Sequence, residues 1–232
     1  MGQQKAAELC RGFRNLEEVF IRYDFYAPKL SLYLQIVRSA PKLRKCTLHH
    51  LPESRMKYGL GPTSITELVL GFCELSQSLL KNILSHLPNL RKFVYWQHWI
   101  PSDHSRIVLP GALMAIIEEH APNLQFLGLS WNDEEIGLLG CVDGVTEDMV
   151  AIKTLRRLKR LETIVIYEHG HNLYPSASTD VWFTFLPPSI RVVGINNPSG
   201  RWDLLALHYA KARGLPQFTK TVVRSPETQQ RD

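Results

Sequence analysis

The chain has 232 residues, 44% of them apolar and 21% charged, with a formal net charge of +5. That composition can fill a large core and excludes a chain kept disordered by low hydrophobicity. Charges of both signs are interspersed rather than gathered on one basic face, so neither nucleic acid nor a membrane surface is the expected partner.

The opening stretch "MGQQKAAELC" is polar and lacks the apolar centre of a signal peptide. A short helix is expected around residues 6–11, followed by a strand in "NLEEVFI" (15–21). Next comes "PKLSLYLQIVRSAPKL", in which Leu30, Leu34 and Val37 recur at helical spacing before a proline. "APKLRKCTL" (40–48) and "SITELVL" (64–70) read as strands. In "SQSLLKNILSHLPNL" the residues Leu79, Leu80, Ile83, Leu84 and Leu87 predict a second amphipathic helix. Proline again stops it, because it removes a backbone donor and biases the preceding residue away from helical geometry. "LPNLRKFVY" (87–95) is the next strand, "GALMAIIEEHAPNL" the next helix with Leu113, Ile116 and Ile117, and "APNLQFLGL" (121–129) the strand after it. "KTLRRLKR" (153–160) reads as an amphipathic helix with a solvated basic side, leading into "RLETIVI" (160–166). "SIRVVGI" (189–195) is the last strand, "RWDLLALHYAKARG" a closing helix, and residues 214–232 a mobile tail.

The strands share one pattern, L-x-x-Φ-x-Φ with Φ apolar, opened by Leu16, Leu43, Ile65, Leu90, Leu124, Leu161 and Ile190. Six steps from Leu16 to Ile190 average 29 residues. That is the top of the roughly 20–29 residue period of leucine-rich repeats. These residues resemble the leucine-rich repeats of the ribonuclease-inhibitor-like class, especially those joined to an F-box in ubiquitin-ligase substrate receptors. "ITELVLGFCELS" carries the resemblance best, with Cys73 at the place where such a repeat has its Asn or Cys, and Asn132 holds the same place later. Asp24, Leu51, His98, His169 and Pro198 depart from it. The resemblance implies an α/β leucine-rich-repeat horseshoe, a solenoid of about seven irregular helix-strand units with a parallel concave sheet over residues 1–213. It also implies a non-enzymatic protein-interaction module. The F-box itself is absent: only eight residues precede Leu9, which already belongs to the first unit. The first repeat is therefore expected to be poorly capped, and a ubiquitin-ligase connection follows only if an F-box precedes this chain.

Strand side chains alternate, so with the opening residue as zero, positions 0, +3 and +5 are expected in the core and +2, +4 and +6 on the concave face. In "RKFVYWQHW" (91–99), Leu90, Phe93 and Tyr95 then point inward and Lys92, Val94 and Trp96 outward. The same register places Phe20, Arg22, Lys45, Thr47, His49, Glu67, Val69, Gly71, Gly128, Ser130, Thr163, Val165, Tyr167, Gly194 and Asn196 outward. Tyr23, His50, Phe72, His98, Trp99, Trp131 and His169 follow the strands along one rim. Large aromatics and arginine give contact area at little entropic cost. Phe20, Arg22, Tyr23, His49, Phe72, Trp96, His98, Trp131, Tyr167 and His169 are accordingly the candidate partner-binding residues. The competing reading has the insertions 97–111, 131–148 and 169–180 folding back over these aromatics. The middle insertion is acidic, with Asp133, Glu134, Glu135, Asp143, Glu147 and Asp148, and either receives a basic segment or is simply solvated.

No catalytic chemistry emerges. His49, His50, His98, His104, His169 and His171 have no zinc-motif spacing. "GLGP" (59–62) lacks phosphate-loop spacing, and Ser102, Asp103 and His104 are adjacent, whereas triads assemble from distant positions. No cofactor and no metal is expected. Four scattered cysteines without a CxxC pair fit a reducing compartment, cytoplasmic or nuclear. Three functional classes remain to be separated: a receptor of the F-box type, a free-standing repeat scaffold or regulator, and a metal-dependent hydrolase using the histidines and the acidic insertion.

Overall fold

In a computed structural model of the chain, residues 13–23, 37–51, 64–73, 75–97, 108–131, 155–168, 186–196 and 220–222 are described, the ends of the later strands by their backbone alone. Eight strands form one sheet: β1 (Glu18–Arg22), β2 (Lys45–His49), β3 (Glu67–Gly71), β4 (Lys92–Gln97), β5 (Phe126–Trp131), β6 (Thr163–Glu168), β7 (Val192–Asn196) and β8 (Lys220–Val222). Their order in space is their order in the chain, and every pair is parallel. Each strand therefore pairs only with its neighbours in sequence, the mark of a solenoid.

The rungs whose opening turns are described are built the same way. A hydrogen bond from the opening residue's N–H closes a tight turn: Leu43 donates to Ala40 at 3.1 Å, Leu90 to Leu87 at 3.1 Å, and Leu124 to Ala121 at 3.1 Å. Pro41, Pro88 and Pro122 occupy the second position of these turns, where their fixed φ is already correct. The carbonyl one residue past the opening leucine then accepts two donors from the next rung. Glu17 O takes Arg44 N and Lys45 N, Arg44 O takes Thr66 N and Glu67 N, and Thr66 O takes Arg91 N and Lys92 N. Sequence repetition thus becomes backbone repetition.

Helix α1 (Gln77–Ser85) is capped by Ser76, whose hydroxyl accepts from Leu79 N at 3.3 Å, a bond worth about 1 kcal/mol. Its Leu79, Leu80, Ile83 and Leu84 are buried, while Lys81, Asn82 and Ser85 are exposed. Helix α2 (Pro110–His120) starts with proline in its first turn, where a missing N–H costs nothing. Lys81 on α1 pairs with Glu119 on α2 at 3.2 Å. One apolar cluster joins these helices to the inward side of the sheet. The expected register holds. Leu43, Ile65, Leu90, Leu124 and Leu161 are fully buried at position 0, as are Cys46, Leu68, Phe93, Leu127 and Ile164 at +3. Leu48, Leu70, Tyr95 and Leu129 follow at +5.

The structure departs from the expectations in particular places. Residues 155–160 form successive turns rather than a helix, with Leu158 N donating to Leu155 O and Leu161 N to Leu158 O. Leu155, Leu158 and Leu161 are all buried, and a spacing of three serves tight turns as well as it serves a helix. Trp131, expected in a loop past the strand, is the last residue of β5, where it pairs with Gln97 and Glu168. Residues 220–222, within the stretch expected to be a tail, form β8 and add an eighth rung. Val94, Gly128 and Ser130 are buried although they belong to the outward set. Val94 and Gly128 face each other across β4 and β5, and a Cβ built at Gly128 would stand 3.2 Å from Val94, so adjacent rungs shield one another. The expected helices at 6–11 and 201–214, the whole insertion 169–180, and all but the ends of 97–111 and the first residue of 131–148 lie outside the described residues.

Candidate functional site: the aromatic end of the open sheet face

The sheet face turned away from the helices carries the +2, +4 and +6 rows. The +2 row runs Glu18, Lys45, Glu67, Lys92 and Phe126 across five rungs. Lys45 pairs with Glu18, and Lys92 pairs with Glu67 at 3.6 Å while its ammonium lies 5.1 Å from the Phe126 ring centre. The hydrogen bond to Glu18 raises the Lys45 pKa, with a smaller contribution from Glu67. Alternating signs neutralise this row internally, so it supports register more than it attracts a charged partner.

The +6 row, Arg22, His49, Gly71 and Trp96, differs. Here the His49 ring lies 5.2 Å from Phe20, 5.8 Å from Trp96 and 6.0 Å from Phe72. His50 stacks on Phe72 at 4.9 Å, nearly parallel at 9°. The two stacked residues directly follow β2 and β3 and both have left-handed backbones, φ 57° and 55°. Left-handed geometry costs a bulky residue about 1–3 kcal/mol. His50 N donating to Gly71 O at 2.9 Å and Phe72 N to Trp96 O at 2.7 Å hold it there. The chain thereby leaves each strand sharply and stacks its rim aromatics.

Gly71 makes the cluster possible. A Cβ there would stand 2.8 Å from His49 Nε2, so only glycine lets the imidazole lie across β3 to meet Trp96. Burial lowers the His49 pKa below its usual value of 6.5, and the charges of His50 and Arg22 lower it further. The folded state therefore prefers the neutral ring. A base depressed on folding contributes stability that is present above pH 6.5 and is lost as pH falls through the lower, folded pKa. Wild-type protein should lose melting temperature between pH 7 and pH 5.5 more steeply than a His49→Gln variant. Gly71→Ala, by displacing the ring, should return the His49 pKa measured by NMR toward 6.5. Equal melting slopes, or a His49 pKa unmoved by Gly71→Ala, would refute the packing described.

Of the ten candidate residues, Phe20, Arg22, Tyr23, His49, Phe72 and Trp96 fall at this end of the sheet. Phe20 is 60% exposed, the one large exposed apolar side chain among the described residues; Arg22 is exposed, and Tyr23, His49, Phe72 and Trp96 are half-buried. Trp131 and Tyr167 lie on β5 and β6 and are described by backbone alone, while His98 and His169 lie outside the described residues. Gly71 was placed on this face by its register, but its role as the gap that admits His49 was not foreseen. The conformation of His50 and Phe72 left no mark in the residue types.

Cys73 sits behind this cluster. Its Sγ lies 3.4 Å from the carbonyl oxygens of Leu48 and Gly71, one on the preceding rung, as a weak donor satisfying strand ends. Burial pushes the thiols of Cys46 and Cys73 up to about 12, leaving almost no thiolate for reaction. Neither should be alkylated by iodoacetamide in native protein at pH 8, and both should react in denaturant; rapid native labelling of either would contradict this burial. Among the described residues no three His, Cys, Asp or Glu side chains gather as a metal site, and no helix is long and apolar enough to cross a membrane.

Eight parallel strands in chain order, a buried leucine or isoleucine opening the second to seventh rungs, and the same turn at six of the described openings make this a leucine-rich-repeat solenoid. No family model matches the sequence, and no curated protein matches it. Among solved structures it is similar to the leucine-rich repeat-containing protein LegL7 from Legionella pneumophila, at 15% identity and a TM-score of 0.42, over 94% of this chain and 80% of that one. It is also similar to a tropomodulin C-terminal domain from Caenorhabditis elegans, at 16% identity and a TM-score of 0.39, over 56% of this chain and 83% of that one.

Proposed function

We propose that the chain is a non-enzymatic protein-interaction module whose binding surface is the β1–β4 end of the open sheet face. The observation that carries this reading is the exposed Phe20 set against His49, itself in edge contact with Trp96. An aromatic edge with apolar neighbours and an internally neutral charge row suits a protein surface that offers apolar side chains. It suits a small charged metabolite poorly, because the acids and lysines of the +2 row already satisfy one another. The buried, protonated thiols of Cys46 and Cys73 supply no nucleophile.

The finer reading is the substrate-recognition half of an F-box ubiquitin-ligase receptor, supported by the resemblance of "ITELVLGFCELS" and by the cysteine at its expected place. The alternative is a free-standing scaffold or regulator. A photo-crosslinking residue placed at Phe20 in cells should yield a discrete protein adduct, and the same residue at Asn82 on the exposed side of α1 should not. His49→Ala and Trp96→Ala should each reduce the Phe20 adduct. Equal adducts from both positions would sink the surface assignment. The F-box reading has its own test: the transcript upstream of Met1 either encodes an F-box in frame or it does not.

A further inference from the structure

At the strand-start edge, away from the aromatic cluster, a groove of about 360 Å³ runs across the third repeat. It exists because of a local change in the residues that flank the opening position. Where the second repeat has Lys42 and Arg44, and the fourth has Asn89 and Arg91, the third has the short side chains Ser64 and Thr66. The in-register pairing Lys45↔Glu67↔Lys92 sets the residues just before them, Arg44, Thr66 and Arg91, on successive rungs. Rungs are about 4.8 Å apart, so the two arginine backbones stand roughly 10 Å apart with threonine between them. Two long guanidinium arms thus flank a low floor.

The charges of this groove are unbalanced. Glu67 and Glu18 are committed to Lys92 and Lys45 on the open face. Lys42 donates to the neutral Asn15 at 2.8 Å and has no carboxylate partner among the described residues. Glu17 lines the β1 end, but among the described residues no carboxylate pairs with the Arg44 or Arg91 guanidinium. Carbonyls cannot satisfy them at the floor either: Arg44 O and Thr66 O each already accept two backbone N–H groups. Ser64 on the wall has a hydroxyl without a hydrogen-bond partner. Planar forks of five donors match the oxygens of a phosphate bidentately, which a lysine ammonium cannot do.

We propose that this groove binds a phosphate group, clamped between Arg44 and Arg91 above Thr66. The site stands apart from the aromatic surface and does not depend on it. Its ligand is either free phosphate or a phosphorylated side chain of a protein, and the two are separable by titration.

The test is calorimetric titration of the whole chain at fixed ionic strength with inorganic phosphate, with glycyl-phosphoseryl-glycine and with acetate. Wild type should bind phosphate or the phosphopeptide saturably, and acetate at least tenfold more weakly. Tighter binding of the peptide assigns a protein-borne phosphate; tighter binding of the ion assigns the free species. Arg44→Gln with Arg91→Gln should weaken binding at least tenfold, and Arg44→Lys should lower affinity although it preserves charge. Thr66→Arg supplies the decisive arm, because it adds a positive charge while filling the groove: binding should fall. Stronger binding in Thr66→Arg would mean generic attraction to positive charge and overturn the site. Unchanged affinity in the double variant, acetate binding equal to phosphate, or no saturable binding by wild type would overturn it as well. Circular dichroism of each variant checks that the fold is intact, so that a change in affinity reads the site.

Discussion

Replacing Leu90 with Asp should unfold the repeat array. Leu90 is fully buried at the opening of the fourth rung, and its N–H closes the turn onto Leu87 O. A carboxylate there would have no polar partner on the inward side, where the cluster around it is apolar: Leu68, Phe93, Leu84 and Leu87 are all fully buried. An unpaired buried charge costs several kcal/mol or forces the group to take up a proton, roughly a third or more of typical domain stability of about 5–15 kcal/mol. Leu90→Ala, which removes volume without adding charge, should cost about 2–5 kcal/mol. Leu124→Asp, at the equivalent position one rung on and equally buried, should behave as Leu90→Asp does. Asn82→Asp on the exposed side of α1 should stay within about 0.5 kcal/mol. Thermal melts followed by circular dichroism read all four. Native-like melting of both Leu→Asp variants would refute the register.

The parts of this fold that could be read beforehand are those written by spacing. Leucine or isoleucine at 0, +3 and +5 states which side of the strand is wet, and a one-residue error would have turned every rung over. Proline after the amphipathic runs states where helix gives way to strand. The turns at 155–160 escaped because leucines three apart fit both a helix and a chain of tight turns, and residue type does not distinguish them. Burial of Val94 and Ser130 escaped because alternation assigns a side, whereas exposure on that side depends on the size of neighbours on adjacent rungs. The candidate site was legible as a face and not as an arrangement. Phe20, His49 and Trp96 could be set on the same side by counting, but their meeting depends on the missing side chain of Gly71 and on His50 and Phe72 leaving their strands with positive φ. Both are consequences of pairing between rungs 22 to 25 residues apart, which periodicity does not encode.

The contrast between Phe93 and Trp96 tests fold and site together. They stand three residues apart on β4, at +3 and +6, and so on opposite sides of the sheet. Phe93 is fully buried and its ring lies 6.3 Å from that of Tyr95, whose hydroxyl donates to Gln97 Oε1 at 2.9 Å inside the protein. Burial also drives the Tyr95 phenol strongly toward its protonated form. Phe93→Ala therefore removes a ring from a packed interior, and the expected loss is about 3–5 kcal/mol. Trp96 is half-buried and meets His49 edge-on at 5.8 Å, an aromatic contact worth about 0.5–1.5 kcal/mol beyond its buried area. Trp96→Ala should therefore lower the melting temperature far less than Phe93→Ala, while raising the His49 pKa as the ring gains water. In a complex formed through the open face, the same substitution should weaken binding by about 2 kcal/mol or more. A Trp96→Ala variant as unstable as Phe93→Ala would make Trp96 a structural residue, and Phe20 and His49 would then have to carry the surface without it.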